Sequence, residues 1–423
     1  MALENRRKVG GQTLLALVIG NMLGAGVFTT SGFAMGDLAS PLYVLLAWLI
    51  GGLVALCGAI SYGALSQLMP VSGGEYLFLS RAVHPLAGFI AGWISLWAGF
   101  TAAIAFAAIT LEAYLLPASL RAVAPENLVA SCAILAAALA HGLHLRHGAA
   151  LQRAAVALKL AFIAAFVLFV LLAPAAGEWE GVAAWRSGGD PPFSPALFAT
   201  TLMWISFSYS GYNASIYIAS EVDEAASRVP RAMIQGTAIT TLVYLLLNAV
   251  FVLAPAPGAL GGELLETAMR GIIALALFTS VSAMIMTGPR VYAQMADDGL
   301  MPAFLQFRGE VPARAIALQA LLAVIVVWLA GLRELLSYLG FTLGLSSAAT
   351  ILSLFAAVRK LGDARPRLRG YPWAPLAAVF FTLLFAGLAA SINPREMLAA
   401  ALTVLSAVAV YLLFGRSHQR IRR

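Results

Sequence analysis

The chain has 423 residues, 61% hydrophobic and only 11% charged, with a mean hydropathy of +0.89. Such a composition excludes a water-soluble globular protein of this length. The net charge of +7 does not point to nucleic acid, because the basic residues sit in short segments between apolar runs. Two cysteines, Cys57 and Cys132, fall in separate apolar runs and predict no disulfide framework.

A membrane-crossing helix needs about 20 apolar residues. Twelve such runs are predicted, near 13–35, 41–68, 86–116, 127–145, 152–173, 196–221, 232–254, 267–289, 313–331, 335–357, 373–392 and 397–414. The polar, basic start from Met1 to Gly11 is followed by an apolar run without a small-residue cleavage site, so the first run is expected to be retained as a span. The longest connecting segment, about 174–195, is too short to fold alone. With the N-terminus in the cytoplasm, 20 of the 26 Lys and Arg residues fall on the cytoplasmic side and five on the other, with Lys159 inside a span. That bias predicts a multi-pass protein of the cytoplasmic (inner) membrane with both termini inside. The basic end from Arg416 to Arg423 marks a membrane face, with anionic lipid as an alternative partner.

The first run is interrupted by Gly20-Asn21-Met22-Leu23-Gly24-Ala25-Gly26-Val27-Phe28. Glycine costs a helix about 1 kcal/mol relative to alanine, and an unpaired amide in lipid costs several more. Two readings follow: close helix packing through small residues, or an unwound stretch that lines a binding site at mid-membrane depth. Run six carries a similar interruption, Phe207-Ser208-Tyr209-Ser210-Gly211-Tyr212-Asn213. Ser, Gly and Asn all compete with regular helix. The two breaks lie five runs apart, which fits five helices repeated in inverted orientation, although no residue-level repeat is visible.

The residues after the first break begin a half-helix whose free amides and positive dipole end attract an anion. Gly24, Ala25 and Gly26 are therefore the candidate holders of a carboxylate, while the carbonyls of Met22, Phe207 and Ser210 are candidate acceptors for an ammonium, with Gly211 in the same unwound stretch. A carboxylate cradle beside a carbonyl cradle recognises an α-amino acid zwitterion and leaves the side chain to a separate pocket.

At these residues the chain resembles the amino acid–polyamine–organocation transporters, which have the LeuT-type fold. Four motifs carry the resemblance: Gly24-Ala25-Gly26-Val27-Phe28; Pro70-Val71-Ser72-Gly73-Gly74-Glu75-Tyr76 leading to Gly88-Phe89-Ile90-Ala91-Gly92-Trp93; Phe207 to Asn213 followed by Glu221 and Arg228-Val229-Pro230-Arg231-Ala232; and Arg290-Val291-Tyr292-Ala293-Gln294-Met295-Ala296-Asp297-Asp298-Gly299-Leu300-Met301-Pro302. They cover runs one to eight. The resemblance implies an all-α membrane protein of about 12 transmembrane helices, a single transporter domain over 1–423. Within it, 1–173 and 196–358 would form the two five-helix repeats with discontinuous helices 1 and 6, and 372–415 the last two helices. It implies secondary active transport of amino acids by alternating access, without cofactor or metal, with a small-molecule substrate and protons as a candidate coupling ion. Ala25 stands where many relatives carry Ser, so a hydroxyl contact to the carboxylate is lost while the amide remains.

By the same resemblance Phe207 takes the place of an aromatic gate, against the plainer role of packing, and Glu221 belongs to an inner gate, against a solvated ion pair with Arg228 or Arg231. Asn213 occupies a position that is acidic in some proton-coupled or cation-exchanging relatives and an amide in some exchangers of neutral amino acids; its neutrality weighs against cationic substrates and proton coupling through this site, and its plainer role is hydrogen bonding within the bundle. Lys159 is a charge inside a span, functional by default unless its stem snorkels to the interface. The resemblance places its ammonium near the first break, where sodium binds in sodium-driven relatives, and so implies a sodium-independent carrier.

Phe100, Ser282 and Phe341 are the expected walls of the side-chain pocket. Glu112 is read as a solvated helix-end carboxylate, with proton coupling as the alternative. His141, His144 and His147 recur every third residue with no carboxylate or thiol nearby, and a metal site is not expected there. An exchanger of polyamines or other organic cations ranks lower because no acidic residue is expected at mid-membrane depth to hold a second ammonium. A membrane-embedded enzyme or a sensor is the reading from another class. All five His residues lie at span ends or tails, no catalytic constellation is evident, and no output domain is expected. The sequence leaves open which amino acid is carried, exchange against proton symport or export, the oligomeric state and any accessory subunit.

Overall fold

The computed structural model describes residues 10–121, 123–142, 148–172, 191–253, 257–307, 312–360 and 370–415. Arg6, Arg7, Lys8, His144, His147 and the basic end from Arg416 lie outside the described residues, as does most of the 174–195 connection.

Among the described residues the protein is helical throughout, without a strand. The first run folds as α1 (Gly11–Met22) and α2 (Ala25–Leu38). Then come α3 (Pro41–Leu68), the short α4 (Gly74–Ala82) and α5 (Pro85–Leu115), which carries a π-helical turn over Ser95–Ala102. They are followed by α6 (Leu128–Gly142), α7 (Gly148–Leu172) and α8 (Pro195–Tyr209), the last continued by a 3-10 segment, Ala214–Glu221. The remaining helices are α9 (Ala225–Leu253), α10 (Pro257–Asp297), α11 (Ala313–Leu329), α12 (Leu332–Lys360), α13 (Trp373–Ala390) and α14 (Pro394–Val410). Eight helical stretches are long and apolar enough to cross a membrane, and three shorter apolar ones lie among them. The chain is a multi-pass membrane protein.

Local chemistry sets where these helices start. Ser40, His84 and Ser194 each precede a proline at the first helical position, and each side chain accepts a backbone N–H two or three residues on. A capping acceptor followed by a residue without an N–H is a strong helix-start signal. Run eight extends further than hydropathy predicts. The helix continues through Pro289 to Asp297, so most of the fourth motif forms its last two turns.

Two groups of helices pack around the breaks. In one, α9 lies along α1 and α3; in the other, α5, α6, α10 and α11 pack on one another. Between them α8 touches α2, α3, α12 and α13. Lipid is as apolar as a leucine side chain, so such helices associate by close backbone approach. At Gly340 of α12 an added Cβ would lie 2.6 Å from the carbonyl oxygen of Met203 on α8. The obstacle is backbone and cannot rotate away. Gly340→Ala is therefore expected to push α12 off α8 and lower the thermal midpoint of the detergent-purified protein, at about 1–3 kcal/mol. Gly387→Ala, which meets nothing within 4 Å, should leave it unchanged; equal midpoints for the two variants would refute the packing argument.

Candidate functional site

Regular helix stops at Met22 because Leu23 (φ −71°, ψ 69°) and Gly24 (φ −110°, ψ −155°) leave the helical region. The Gly24 N–H turns back to the Met22 carbonyl at 2.7 Å. Gly24 then caps α2 without a side chain, so the leading amides of Ala25 and Gly26 have no intrahelical partner. Both residues line a central cavity of about 1690 Å³. The unwound reading of the first break is the one observed, and close packing is present as well. A Cβ at Gly26 would meet Ser208 Oγ at 2.4 Å and its Cα at 2.7 Å, so the two interrupted segments touch at that point.

The second break begins later than the quoted motif. α8 runs through Phe207 to Tyr209, and the chain turns at Ser210 (φ −59°, ψ 145°) and Gly211 (φ +106°). The positive φ requires glycine, and it brings Gly211 against the Asn21 carbonyl of the first break.

The candidate acceptors separate under this geometry. The Met22 carbonyl already accepts the Gly24 N–H and a hydrogen bond from Tyr244 of α9. The Phe207 carbonyl accepts both the N–H and the hydroxyl of Ser210, at 2.9 and 2.6 Å. A carbonyl has two lone pairs, so neither is left for a ligand. The Ser210 carbonyl meets no donor among the described residues and remains the acceptor of the three.

Lys159 of α7 is buried, and its Nζ donates to the carbonyls of Leu23 and Gly20, the latter at 3.3 Å. The side chain does not snorkel to a surface. It supplies positive charge to the carbonyls that end α1, the position a bound cation would take. Tyr244 was not singled out from sequence. Its hydroxyl sits between the carbonyls of Met22 and Ser208, 2.9 Å from the latter, and so joins the two breaks.

The cavity opens toward the membrane face where α1 begins, along Gln12, Arg81, Arg290 and Asp298. At its other end Phe207 stands edge-on to Phe106, with ring centres 5.4 Å apart. Beyond that pair the structure is closed. Tyr114 donates to the Phe28 carbonyl at 2.9 Å, and Arg333 grips Asp37 through two nitrogens while covering the rings of Phe33 and Trp204.

Of the expected pocket walls, Phe100 lines the cavity beside the π-helical turn. Ser282 and Phe341 do not. The α10 positions that line the cavity include Ser280, Ala283 and Thr287, whereas Ser282 faces α6 and bonds His141 Nε2 at 2.8 Å. On α12 the lining residues include Leu343, Gly344 and Ser347, while Phe341 is buried against Met203 and Ala386. Each was placed on the right helix and the wrong face of it.

Glu221 lines the mouth of the cavity. The alternative, an ion pair with Arg228 or Arg231, is not formed among the described residues, where Arg228 reaches Glu224 at 3.8 Å. Glu112 accepts the amides of Asn127 and Ala130 at 2.8 and 2.9 Å, so it caps α6 rather than standing in solvent. No group of three or more metal-ligating side chains occurs among the described residues.

Asn213, which borders the cavity, donates its side-chain amide to Glu75 of α4 at 3.4 Å. The Glu75 carboxylate also accepts Tyr62 of α3 through Oε1, and Ser346 of α12 through Oε2 at 3.0 Å. An acidic residue therefore stands beside the second break, although none is expected at mid-membrane depth to hold a second ammonium. Glu75 was quoted within the second motif but given no role, since hydropathy places it in a loop.

A family model described as amino acid permease matches residues 9–414. The chain belongs to the amino acid permease family. It is 25% identical to the mouse large neutral amino acids transporter small subunit 2 over 359 residues, 79% of this chain and 67% of that one. It is 23% identical to the mouse b(0,+)-type amino acid transporter 1 over 433 residues, covering 97% and 88%, and 29% identical to an uncharacterised transporter of Mycobacterium tuberculosis over 390 residues, covering 86% and 83%. Family and relatives are transporters, not enzymes.

Loss of the Tyr244 hydroxyl would strip a shared donor from two buried carbonyls, at a cost of about 1–3 kcal/mol. Tyr244→Phe is therefore expected to lower the thermal midpoint of this permease. An unchanged midpoint would show that the two breaks are not held together there.

Proposed function

We propose that this permease carries neutral L-amino acids across the cytoplasmic membrane by alternating access, without sodium, as an exchanger or a proton-coupled carrier. The observation that carries the reading is the Lys159 ammonium on the Gly20 and Leu23 carbonyls, next to the unpartnered amides that open α2. A cation built into the protein at that place removes the need for a dissolved one. The amides of Ala25 and Gly26 would hold the substrate carboxylate, and the Ser210 carbonyl its ammonium. Phe207, standing between the site and the closed side, would be the gate, and Phe100 a wall of the side-chain pocket.

Neutral substrates fit better than polyamines, because protein donors already engage both Glu75 oxygens, two on Oε1 and one on Oε2. The name of the large neutral amino acids relative supports the same class. The fold is read as twelve crossings of the LeuT type, with repeats at 1–173 and 196–358 and two further helices at 372–415 in one transporter domain. With the termini in the cytoplasm, the cavity that opens beside Gln12 faces inward.

Thermal stabilisation of the purified protein by each of the twenty amino acids and by common polyamines, in sodium and in sodium-free buffer, tests this reading. Ligand at 100-fold over Kd adds about 2.7 kcal/mol. Shifts with neutral amino acids, equal in both buffers, are expected; shifts only with diamines, or only with sodium, would overturn the assignment. Lys159→Ala is expected to lower sodium-free uptake in proteoliposomes at least about tenfold, since it leaves carbonyls of the break unpaired at a cost of about 1–3 kcal/mol. Undiminished uptake would remove Lys159 from the mechanism.

A further inference from the structure

Glu75 is the most unusual charged group outside the proposed substrate site. It is 9% exposed, and none of the ion pairs among the described residues involves it. Its three partners are neutral donors from three other elements: Tyr62 on α3, Asn213 at the second break and Ser346 on α12. The surroundings hold little charge. Tyr62 faces it from α3, and Tyr212 and Tyr217 from the second break and its 3-10 segment; α12 brings serines. On its own helix, Tyr76 turns to Asp298, and the Arg81 end meets Lys360. A carboxylate without a cation is costly to bury. Burial pushes the Glu75 carboxyl above its ordinary range, and the three donors hold it back.

The loop leading into α4, whose first turn carries Glu75, is fastened to the 3-10 segment after the second break. Ser72 and Ser220 exchange backbone-to-hydroxyl hydrogen bonds at 2.8 and 2.9 Å. Gly74 lies so close to the Tyr217 ring that a Cβ would be 2.3 Å from it. Ser72, Glu75, Asn213 and Tyr217 all border the cavity, so water from its open mouth can reach them.

We propose that Glu75 is a proton-binding site, and that its occupancy decides how the second break is held to α3 and α12. Ionised, the carboxylate accepts all three donors. A proton taken from the cavity onto Oε1 turns that oxygen into a donor. Tyr62 can answer by accepting, because a hydroxyl does both, but the Asn213 amide nitrogen cannot accept. The Asn213 amide is then left on a neutral hydroxyl oxygen, a weaker acceptor than a carboxylate, and the anchor of the turn at Ser210–Gly211 is loosened. The inference rests on the transport reading, for which it supplies the coupling ion.

The test is uptake and counterflow in proteoliposomes of the wild type, Glu75→Gln and Tyr62→Phe, using the amino acid that gives the largest thermal shift, over a pH series. Wild-type uptake should vary with pH about one midpoint, and Glu75→Gln should make it independent of pH. Tyr62→Phe should move the midpoint up by about one unit, because it removes a hydrogen bond to the ionised form. A wild-type profile in Glu75→Gln, or a flat profile in the wild type, overturns the proposal while leaving amino acid transport standing. Infrared titration of the purified protein is the arm independent of transport. A protonated-carboxyl band that disappears in Glu75→Gln and titrates higher in Tyr62→Phe supports the site even if counterflow is absent, in which case the transport reading is what fails. No band sensitive to either change overturns the proton site directly.

Discussion

A peptide group that leaves a helix inside a membrane must find a partner within the protein, because lipid offers none. Everything distinctive in this structure follows from how two breaks meet that demand. At the first, Lys159 fills the carbonyls of Gly20 and Leu23, and Tyr244 and Gly24 fill that of Met22. At the second, Ser210 folds back on Phe207. Among the groups left free in the described residues are the leading amides of α2 and the Ser210 carbonyl. Those groups have opposite polarity and border one cavity, which is the minimum needed to prefer a zwitterion over water.

Much of this was legible in the sequence, for identifiable reasons. Apolar runs fix helices because the membrane tolerates little else, and Ser-Pro and His-Pro pairs mark their starts. The glycines at 24 and 26 announced a break, and a lone lysine in an apolar run announced a partner for it. The helical face of a pocket residue was not legible. In a buried helix all faces are apolar, so hydropathy carries no phase, and Ser282 and Phe341 were assigned one step around from the cavity. The division of carbonyls between internal and external donors was equally hidden, since it depends on Tyr244, one tyrosine in an otherwise ordinary apolar run. Glu75 was masked in another way. Its loop reads as solvent-exposed, and only the packing of α4 against α3, α12 and the second break takes it out of water.

The hydrogen bonds also say which pieces would move together under the alternating-access reading. The 72–76 loop cannot separate from 214–221 without losing the paired Ser72 and Ser220 bonds, and Gly74 sits under Tyr217. Those two segments therefore form one body on the open side of the membrane. On the closed side, Asp37 of the first broken run is tied to Arg333 at the start of α12, and Phe28 to Tyr114 of α5. Opening there would have to break the Asp37–Arg333 pair and the Tyr114 hydrogen bond. An exposed pair of this kind is worth about 1 kcal/mol or less, so closure on that side is held by contacts weak enough to exchange.

Under the alternating-access reading, the hinge lies at the second break. Between the fastened body at 214–221 and the packed helix α8 lie only Ser210 to Asn213, and of these Gly211 alone has a positive φ, which lets the chain turn there. Its neighbour Asn213 is anchored to Glu75, which is itself bonded to α3 and α12. A hinge whose one polar anchor is a carboxylate without a counter-cation responds to charge at that carboxylate more than to anything in the apolar bundle around it. Substrate at the leading amides of α2 and a proton at Glu75 would therefore act on opposite ends of the same short turn, one through the contact of Gly211 with Asn21 and the other through Asn213.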